Sequence, residues 1–466
     1  MIGRLADAVT RGAEGIVQGV GEVFEPTLRL GVTGLSRSGK TVFTTSLVAN
    51  LLERGRMPGL SAADRIEAAF LQPQPDDTVP RFAYERHLAD MTGPAPRWPD
   101  GTRATSELRL SMRVRPTGLL GGVTGARVLH VDILDYPGEW LLDVALLDRS
   151  WDEWSAHVLA RLEGWPDAAA PFLDAARAAQ AAAKFDEPEA ARLAALYADA
   201  LQAARDAGAY DLTPGRFLLP GDLAGSPALT FAPLPPGDAP RGSLRAEMAR
   251  RFEAYKRGVA RPFFRDHFAR IDRQVVLLDV LGALQRGPRA LEEMRGAVTD
   301  ILRAFRPGRA GWLASLVGLK RTDRILFAAT KADHLHHAQH ARLQAILDAM
   351  VRDAKSRADF AGAETKTLAL ASLRATTEEE RAHGGATVGL VRGRLTDGRA
   401  VSLDPGALPG DPSALLAAAA RGDAEWPGGA FGVEAFAPAP STLRAGSGPP
   451  HIRLDRAAEF LLGDRL

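Results

Sequence analysis

Eight residues constrain what this chain can fold into more than any others: Gly34-Leu35-Ser36-Arg37-Ser38-Gly39-Lys40-Thr41, a match to G-x-x-x-x-G-K-[ST]. The apolar run Leu28 to Thr33 before them reads as a short buried strand, and Thr41 to Leu52 after them as a helix, which is the context the motif needs. Glycines let the backbone curl so that successive N–H groups and the helix N-terminus face a polyphosphate. Lys40 then brings a point charge to the β and γ oxygens, and the Thr41 hydroxyl can ligate Mg2+. The chain has seven lysines against 51 arginines, so a lysine here is a rarer accident than in an average sequence. Leu35, Ser36, Arg37, Ser38, Gly39, Lys40, Thr41 and Val42 are the expected nucleotide contacts of this loop. The fold class that follows is α/β, a P-loop NTPase with a doubly wound, mostly parallel sheet.

The rest of the chain supplies the elements such a fold requires. Ser106 to Val114 alternates apolar and polar residues with period two, as a half-exposed strand does, and Ala126 to Leu134 is a more uniformly apolar, central strand. Strand character returns at Gln274 to Val280, Arg324 to Thr330 and Thr367 to Leu373, with helices expected from Pro288 to Phe305 and His334 to Lys355. Residues 55 to 104 read as a long functional loop with short helical pieces around Ala62 to Phe70 and Phe82 to Met91. Residues 141 to 210 are rich in Ala, Leu and Arg at helical spacing, a Pro/Gly-rich connector covers 220 to 242, and the helical pattern resumes from Leu244 to about Ile271. A hairpin turning at Asp397-Gly398, a Gly/Pro/Ala-rich stretch from 404 to 449 and a closing helix from Arg453 to Leu462 complete the chain. The expected domains are an N-terminal helix (1–26), a P-loop domain (27–140 and 272–376), a helical insertion (141–271) and a C-terminal extension (377–466).

Composition narrows the partners. Lys and Arg exceed Asp and Glu by 58 − 57 = 1, so no global field draws in nucleic acid, and no nucleic-acid partner is expected. Cysteine is absent, which excludes disulfides, thiolate nucleophiles and Cys-ligated metals. No apolar run reaches the roughly 18 residues needed to cross a bilayer, and the N-terminal segment carries Asp7, Arg11, Glu14 and Glu22 where a signal peptide needs continuous apolar chain. A cytoplasmic protein is expected, with peripheral attachment at the inner membrane through the segment Ile2 to Phe24 as the open alternative.

Two strand-end carboxylates compete for Mg2+. Asp135 opens Asp135-Tyr136-Pro137-Gly138, a D-x-x-G element in which the Asp holds the metal through water and the Gly138 N–H senses a γ-phosphate. Asp279, after Val275-Val276-Leu277-Leu278, is the runner-up and would suit an ATPase. Thr330-Lys331-Ala332-Asp333 fits [NT]-K-x-D, in which a carboxylate accepts from guanine N1–H and the exocyclic amino group, donors that adenine does not present there. Ser372 in Leu370-Ala371-Ser372-Leu373 is placed for its backbone N–H to reach guanine O6, with Leu373 beside it. A switch threonine closing on Mg2+ belongs just before the strand at 106, with Thr102 the better candidate and Thr105 the next.

With these four elements in order, the chain resembles a Ras-like GTPase, and the wider sequence resembles the YcjX-like family of bacterial stress-inducible P-loop GTPases. The stretches that carry the resemblance are 26 to 43, 70 to 88, DYPGEWLLD at 135 to 143, LLDVLGALQRGP at 277 to 288, TKADHLHH at 330 to 337 and HIRLDRAAEFLLGDRL at 451 to 466. The resemblance implies GTP/GDP binding with Mg2+, hydrolysis to GDP and phosphate, a helical domain inserted after the D-x-x-G switch, and a role in stress response.

The catalytic set expected on this reading is Lys40, Gly138, Glu139 and Arg37. Many small GTPases place a water-orienting Gln where this chain has Glu139, and Arg37 is a candidate internal arginine, although a solvent-facing loop position suits it as well. Nucleotide state would reposition the helical domain, which would engage a protein partner at or away from a membrane. An ATP-dependent machine using Asp279 and a nucleotide-binding scaffold with negligible turnover are the competing classes. Two further features are a cluster of His334, His336, His337 and His340, read as a structural or switch contact beside Asp333 although His336 and His340 have the spacing of a helical metal pair, and the stretch 308 to 324, read as a buried helix with a solvated basic end, with an amphipathic docking surface as the alternative.

Overall fold

The structure, a computed structural model, describes residues 25–35, 37–101, 104–116, 126–303, 322–383, 386–423, 426, 431–440 and 444–466. The expected N-terminal helix, most of the 308–324 stretch, Ser36 and Thr102 lie outside the described residues.

In chain order the main elements begin with β1 (Thr27–Gly34), α1 (Lys40–Glu53), β2 (Ile66–Gln72), α2 (Tyr84–Thr92), β3 (Ser106–Val114) and β4 (Arg127–Asp135). A helical stretch follows: α3 (Glu139–Leu142), α4 (Trp151–Leu162), α5 (Pro166–Ala178), α6 (Glu187–Ala207), α7 (Gly215–Leu218), α8 (Leu244–Tyr255) and α9 (Arg261–Asp266). Then come β5 (Arg273–Leu278), α10 (Val280–Arg286), α11 (Pro288–Arg303), β6 (Arg324–Ala329), α12 (His340–Phe360) and β7 (Glu364–Ala369). The chain closes with β8 (Thr377–His383), β9 (Ala386–Arg394), β10 (Ala400–Leu403), α13 (Pro412–Arg421) and α14 (Leu454–Leu462).

Seven strands form one sheet in the order β2-β3-β4-β1-β5-β6-β7. β1 runs parallel to both β4 and β5, and β5, β6 and β7 continue parallel, whereas β2 and β3 join antiparallel at one edge. The sheet is mostly parallel, as expected. Period two along the strands sorts side chains onto two faces: Val275 and Leu277 pack with Leu30, Val32 and Phe43, while Val276 and Leu278 pack with the opposite layer. The first layer includes α14, whose Leu454, Ala457, Ala458, Leu461 and Leu462 recur at helical spacing and are all fully buried. The second layer includes α11 and α12 and runs without a break into the helical stretch, where Trp154 stacks on Phe252 with ring centroids 4.8 Å apart.

Two expectations fail locally. Ala62 to Phe70 is not helical: only Ala63–Arg65 makes a 3-10 turn, and Ile66–Gln72 becomes a strand because β3 offers it an antiparallel edge from Ile66 opposite Val114 to Gln72 opposite Arg109. The helix expected from His334 begins only at His340, since Ala332–His334 and His337–Gln339 form separate 3-10 turns that fold the Asp333 loop back. A strand over Thr377–His383 and a helix over Pro412–Arg421 have no counterpart in the sequence reading.

Candidate nucleotide site

The phosphate loop leaves β1 and re-enters α1 through Gly39, whose φ of 82° is left-handed, and Arg37 adopts the same region at φ 62°. Lys40 folds back so that Nζ donates to the Gly34 carbonyl at 2.8 Å. Gly34 itself admits no side chain, since a Cβ would stand 2.4 Å from Ser38 Oγ and 2.5 Å from the Leu277 carbonyl oxygen.

A cleft of about 1060 Å³ opens at the C-terminal end of the parallel strands, where open α/β sheets bind ligands. Arg37, Ser38, Gly39, Lys40, Thr41 and Val42 line one end, and Thr330, Lys331, Asp333, Ser372 and Leu373 line the other. The structure thus brings the two predicted sets together across the 287 residues of chain between Val42 and Thr330. Leu35 is buried beneath the loop rather than in the cleft lining, and Asp135, Gly138 and Glu139 lie behind the cleft wall, each nearly buried or packed against the phosphate loop.

At the Asp333 end, Ala375 N–H donates to Asp333 Oδ2 at 2.8 Å, and the Thr376 hydroxyl donates to the Asp333 carbonyl. These bonds aim a carboxylate that is otherwise buried. Ala332 N–H donates to the Leu370 carbonyl at 3.1 Å, tying the Asp333 loop to the segment carrying Ser372. That segment is clamped from the far end of the chain: Ala371 and Ile452 exchange backbone bonds of 3.0 and 2.8 Å, and Arg453 donates to the Ala369 carbonyl at 3.0 Å.

The two competing carboxylates separate here. Asp279 Oδ1 caps α10 through Gly282 N–H at 3.0 Å, and its Oδ2 accepts from Lys331 Nζ at 2.7 Å. It is engaged with Lys331. Asp135 ends β4 level with Val32 of β1, the strand that leads into the phosphate loop, and is 2% exposed. The Asp135 carboxylate and Thr41 hydroxyl are hard oxygen donors of the type Mg2+ takes, so this donor set fits the metal that the motif implies.

Three features had no signal in local spacing. Gln202, Arg205 and Asp206 of α6 and Leu218 to Gly221 after α7 form a wall of the same cleft, and Thr396, Ala435 and Phe436 form another. Trp98, from the stretch before β3, donates through Nε1 to the Phe436 carbonyl at 2.7 Å, and Pro99 to Gly101 beside it line the cleft. Glu139 faces Arg205, with Oε1 3.7 Å from the guanidinium. The phosphate end is rich in cations; burial, together with the nearby Arg37, pushes the pKa of Arg286 down.

The D-x-x-G segment is locked to the helical stretch. A Cβ on Gly215 would stand 2.2 Å from the Glu139 carbonyl oxygen, the Arg216 guanidinium lies 3.3 Å from the Trp140 ring centroid, and Trp140 Nε1 donates to the Leu219 carbonyl at 3.0 Å. Asp143 accepts from Gly215 N–H at 2.6 Å and from the Tyr255 hydroxyl at 2.5 Å.

The histidines divide differently from their spacing. His340 Nε2 donates to the Ala332 carbonyl at 2.8 Å, which removes it from any pair with His336. His336 and His337 instead meet Glu378 of β8, His337 Nδ1 at 2.5 Å, while Ala338 N–H faces His336 Nδ1 at 3.4 Å. That contact puts the ring proton on Nε2, toward Glu378, so the cluster ties the Asp333 loop to the small antiparallel sheet of β8, β9 and β10. His334 packs edge-on to Phe436 and lines the cleft; burial lowers its pKa and keeps it neutral at pH 7.

Comparison with known proteins finds one family and two similar proteins that each cover nearly the whole chain. A sequence profile of the YcjX-like family, DUF463, matches residues 28–466. The chain is 38% identical over 459 residues to the Ras-like GTPase YcjX of Escherichia coli (strain K12), an alignment covering 94% of this chain and 96% of that protein. It is 35% identical over 470 residues to the Ras-like GTPase YcjX of Shewanella oneidensis, covering 94% of each.

Proposed function

The chain belongs to the YcjX-like family, and on that premise we propose that it is a Mg2+-dependent GTPase that binds GTP and GDP and hydrolyses GTP to GDP and phosphate. The observation that carries this reading is the single cleft lined by both Lys40 and Asp333, with Lys331 held by Asp279 at its base-reading end. Asp333 accepts from the guanine edge, Ser372 N–H faces O6, and the phosphate-loop amides with Lys40 hold the β and γ phosphates. Mg2+, when bound, would be held by Thr41 and, through water, by Asp135, and would neutralise charge on the β and γ oxygens. Thr102 remains the proposed switch ligand of that ion.

In this proposal residues 27–140 and 272–376 form the GTPase domain, 141–271 a helical domain and 377–466 an extension that buttresses the base-reading end. The Gly138 N–H senses the γ-phosphate, and the contacts of Glu139 and Trp140 with residues 215 to 219 pass that state to the helical domain, which engages a protein partner. A stress-response role follows from the family resemblance. Among the described residues no helix is long and apolar enough to cross a membrane.

The test is single-turnover phosphate release from GTP and ATP with and without Mg2+, paired with hydrogen exchange of residues 215 to 221 in GDP and in a non-hydrolysable GTP analogue. Mg2+-dependent release from GTP alone, with slower exchange in the analogue state, is expected. Equal release from ATP would favour the ATPase reading, no release from either would favour the scaffold, and identical exchange would reject the coupling.

A further inference from the structure

Phe436 sits where three parts of the chain meet. Its backbone is held on both sides, since Thr396 N–H donates to the Ala435 carbonyl at 2.9 Å and Ala437 N–H to the Arg394 carbonyl at 2.8 Å. Its ring is 2% exposed and packs edge-on to His334, the residue after Asp333, with centroids 5.1 Å apart. Gly393 of β9 leaves room for that ring, because a Cβ there would stand 2.6 Å from Phe436 Cδ1. The Phe436 carbonyl accepts from Trp98 Nε1 at 2.7 Å, and the indole packs against the apolar cluster of Ala375, Val391, Leu395 and Phe436. Ala375 is also the residue whose N–H holds the Asp333 carboxylate. One small cluster therefore touches both the Asp333 turn and the segment before β3.

Trp98 carries a wall of the cleft with it. Just before it, Arg97 is fixed to α2, its N–H donating to the Asp90 carbonyl and its guanidinium to the Asp90 carboxylate, each at 2.8 Å. Just after it, Pro99 biases the Trp98 backbone toward the extended region. Trp98, Pro99, Asp100 and Gly101 line one side of the cleft, and Thr396, Ala435 and Phe436 line another. The two walls come from positions 338 residues apart and are joined by the Trp98 bond. Drawing them apart means breaking that bond and lifting the indole off its cluster.

We propose that Trp98 is a positioning residue for the bound nucleotide: through its bond to Phe436, the C-terminal extension sets how slowly a guanine nucleotide leaves the cleft. The proposal rests on the nucleotide-binding reading above and adds to it a determinant of residence time. A wall already tied in place needs no ordering when a ligand arrives, so loosening it acts on the dissociation rate rather than on the association rate. Because the Phe436 ring also lies against His334, the same residue braces the turn that carries Asp333. Anything that displaces Phe436 therefore loosens the cleft on two sides.

The test uses the full chain with Mg2+ and GDP carrying a fluorescent N-methylanthraniloyl group, chased with excess unlabelled GDP. Trp98→Phe keeps a ring for the cluster and removes only the N–H. It is expected to release labelled GDP about fivefold faster, the loss of one neutral hydrogen bond, with association within about twofold of wild type. Gly393→Ala pushes on the Phe436 ring from β9 and should also speed release. The double variant should be no faster than the faster single one, because both break the same link. Rates that multiply would give Trp98 an effect independent of Phe436 and overturn the proposal. A purely structural Trp98 would lower the melting temperature of Trp98→Phe and leave its release rate at the wild-type value, which also overturns it. If wild type binds labelled GDP and labelled ADP equally well, the guanine reading itself fails. A wild-type preference for GDP with unchanged release in both single variants rejects this proposal alone.

Discussion

Gly138 rests directly on Gly34: a Cβ at Gly138 would lie 2.1 Å from the Gly34 carbonyl oxygen and 2.7 Å from its carbonyl carbon. The same oxygen accepts from Lys40 Nζ at 2.8 Å. Three motif residues from two separate stretches therefore converge on one peptide group, so a shift of the D-x-x-G segment is felt at once by Lys40. From Gly138 the chain runs straight into Glu139 and Trp140, which grip residues 215 to 219.

Gly138→Ala tests that contact. The added methyl has no space without moving the Gly34 peptide, and overpacking of this kind costs about 1–3 kcal/mol. Urea unfolding should show that loss, and binding of a GTP analogue should weaken more than binding of GDP because Lys40 is displaced. Unchanged unfolding and unchanged analogue binding would mean the two segments are not held in contact.

Asp279→Asn separates the two strand-end carboxylates. The amide oxygen can still cap α10, but the charge that holds Lys331 is gone. The pair joins a buried carboxylate to a partly exposed lysine, and its loss is worth about 1 kcal/mol, so GDP affinity should fall about fivefold with its Mg2+ dependence intact. Abolition of the Mg2+ dependence would assign the metal to Asp279 instead of Asp135.

Asp143 gives the protein a pH signature. Burial pushes its carboxyl up to about 6 from an ordinary value near 3.8, even though Tyr255 and Gly215 donate to it. The folded state therefore holds the proton more tightly than the unfolded chain does. The resulting stabilisation is full below about pH 4 and is lost as pH rises through about 6, amounting to on the order of 3 kcal/mol. Asp143→Asn keeps an acceptor and cannot ionise, so its chemical unfolding should lack this decline between pH 4 and 6.5. Parallel pH profiles for the two proteins would contradict the assignment.

Local pattern made much of this architecture legible. Ser106 to Val114 alternates because Leu108, Leu110, Met112 and Val114 all enter one core layer, and the strand runs where the alternation does. The glycine-bounded turn of 34 to 41 and the Thr330 to Asp333 element stand out in the sequence because their residue types occur at fixed short spacing, and the structure places both on one cleft. What stayed hidden depends on partners distant in sequence. Ile66–Gln72 is a strand only because β3 offers an edge, and Arg205 meets Glu139 across 66 residues that carry no periodic trace of the encounter. The part played by Ile452 and Arg453 in holding the Ser372 segment likewise belongs to the tertiary fold, since nothing near 452 resembles a nucleotide motif.

The central claim is that Asp333 reads a guanine base in the cleft that Lys40 shares. Its most direct test is equilibrium binding of fluorescent GDP, ADP and xanthosine diphosphate, each with Mg2+, to wild type and to Asp333→Asn. An Asn amide offers one donor and one acceptor, which matches the carbonyl and N–H of xanthine where guanine presents two donors. The account predicts that wild type prefers GDP over ADP by at least about 100-fold, and that the variant loses GDP affinity and gains affinity for xanthosine diphosphate. Equal binding of GDP and ADP by wild type, or a preference for GDP that survives the substitution, would contradict it.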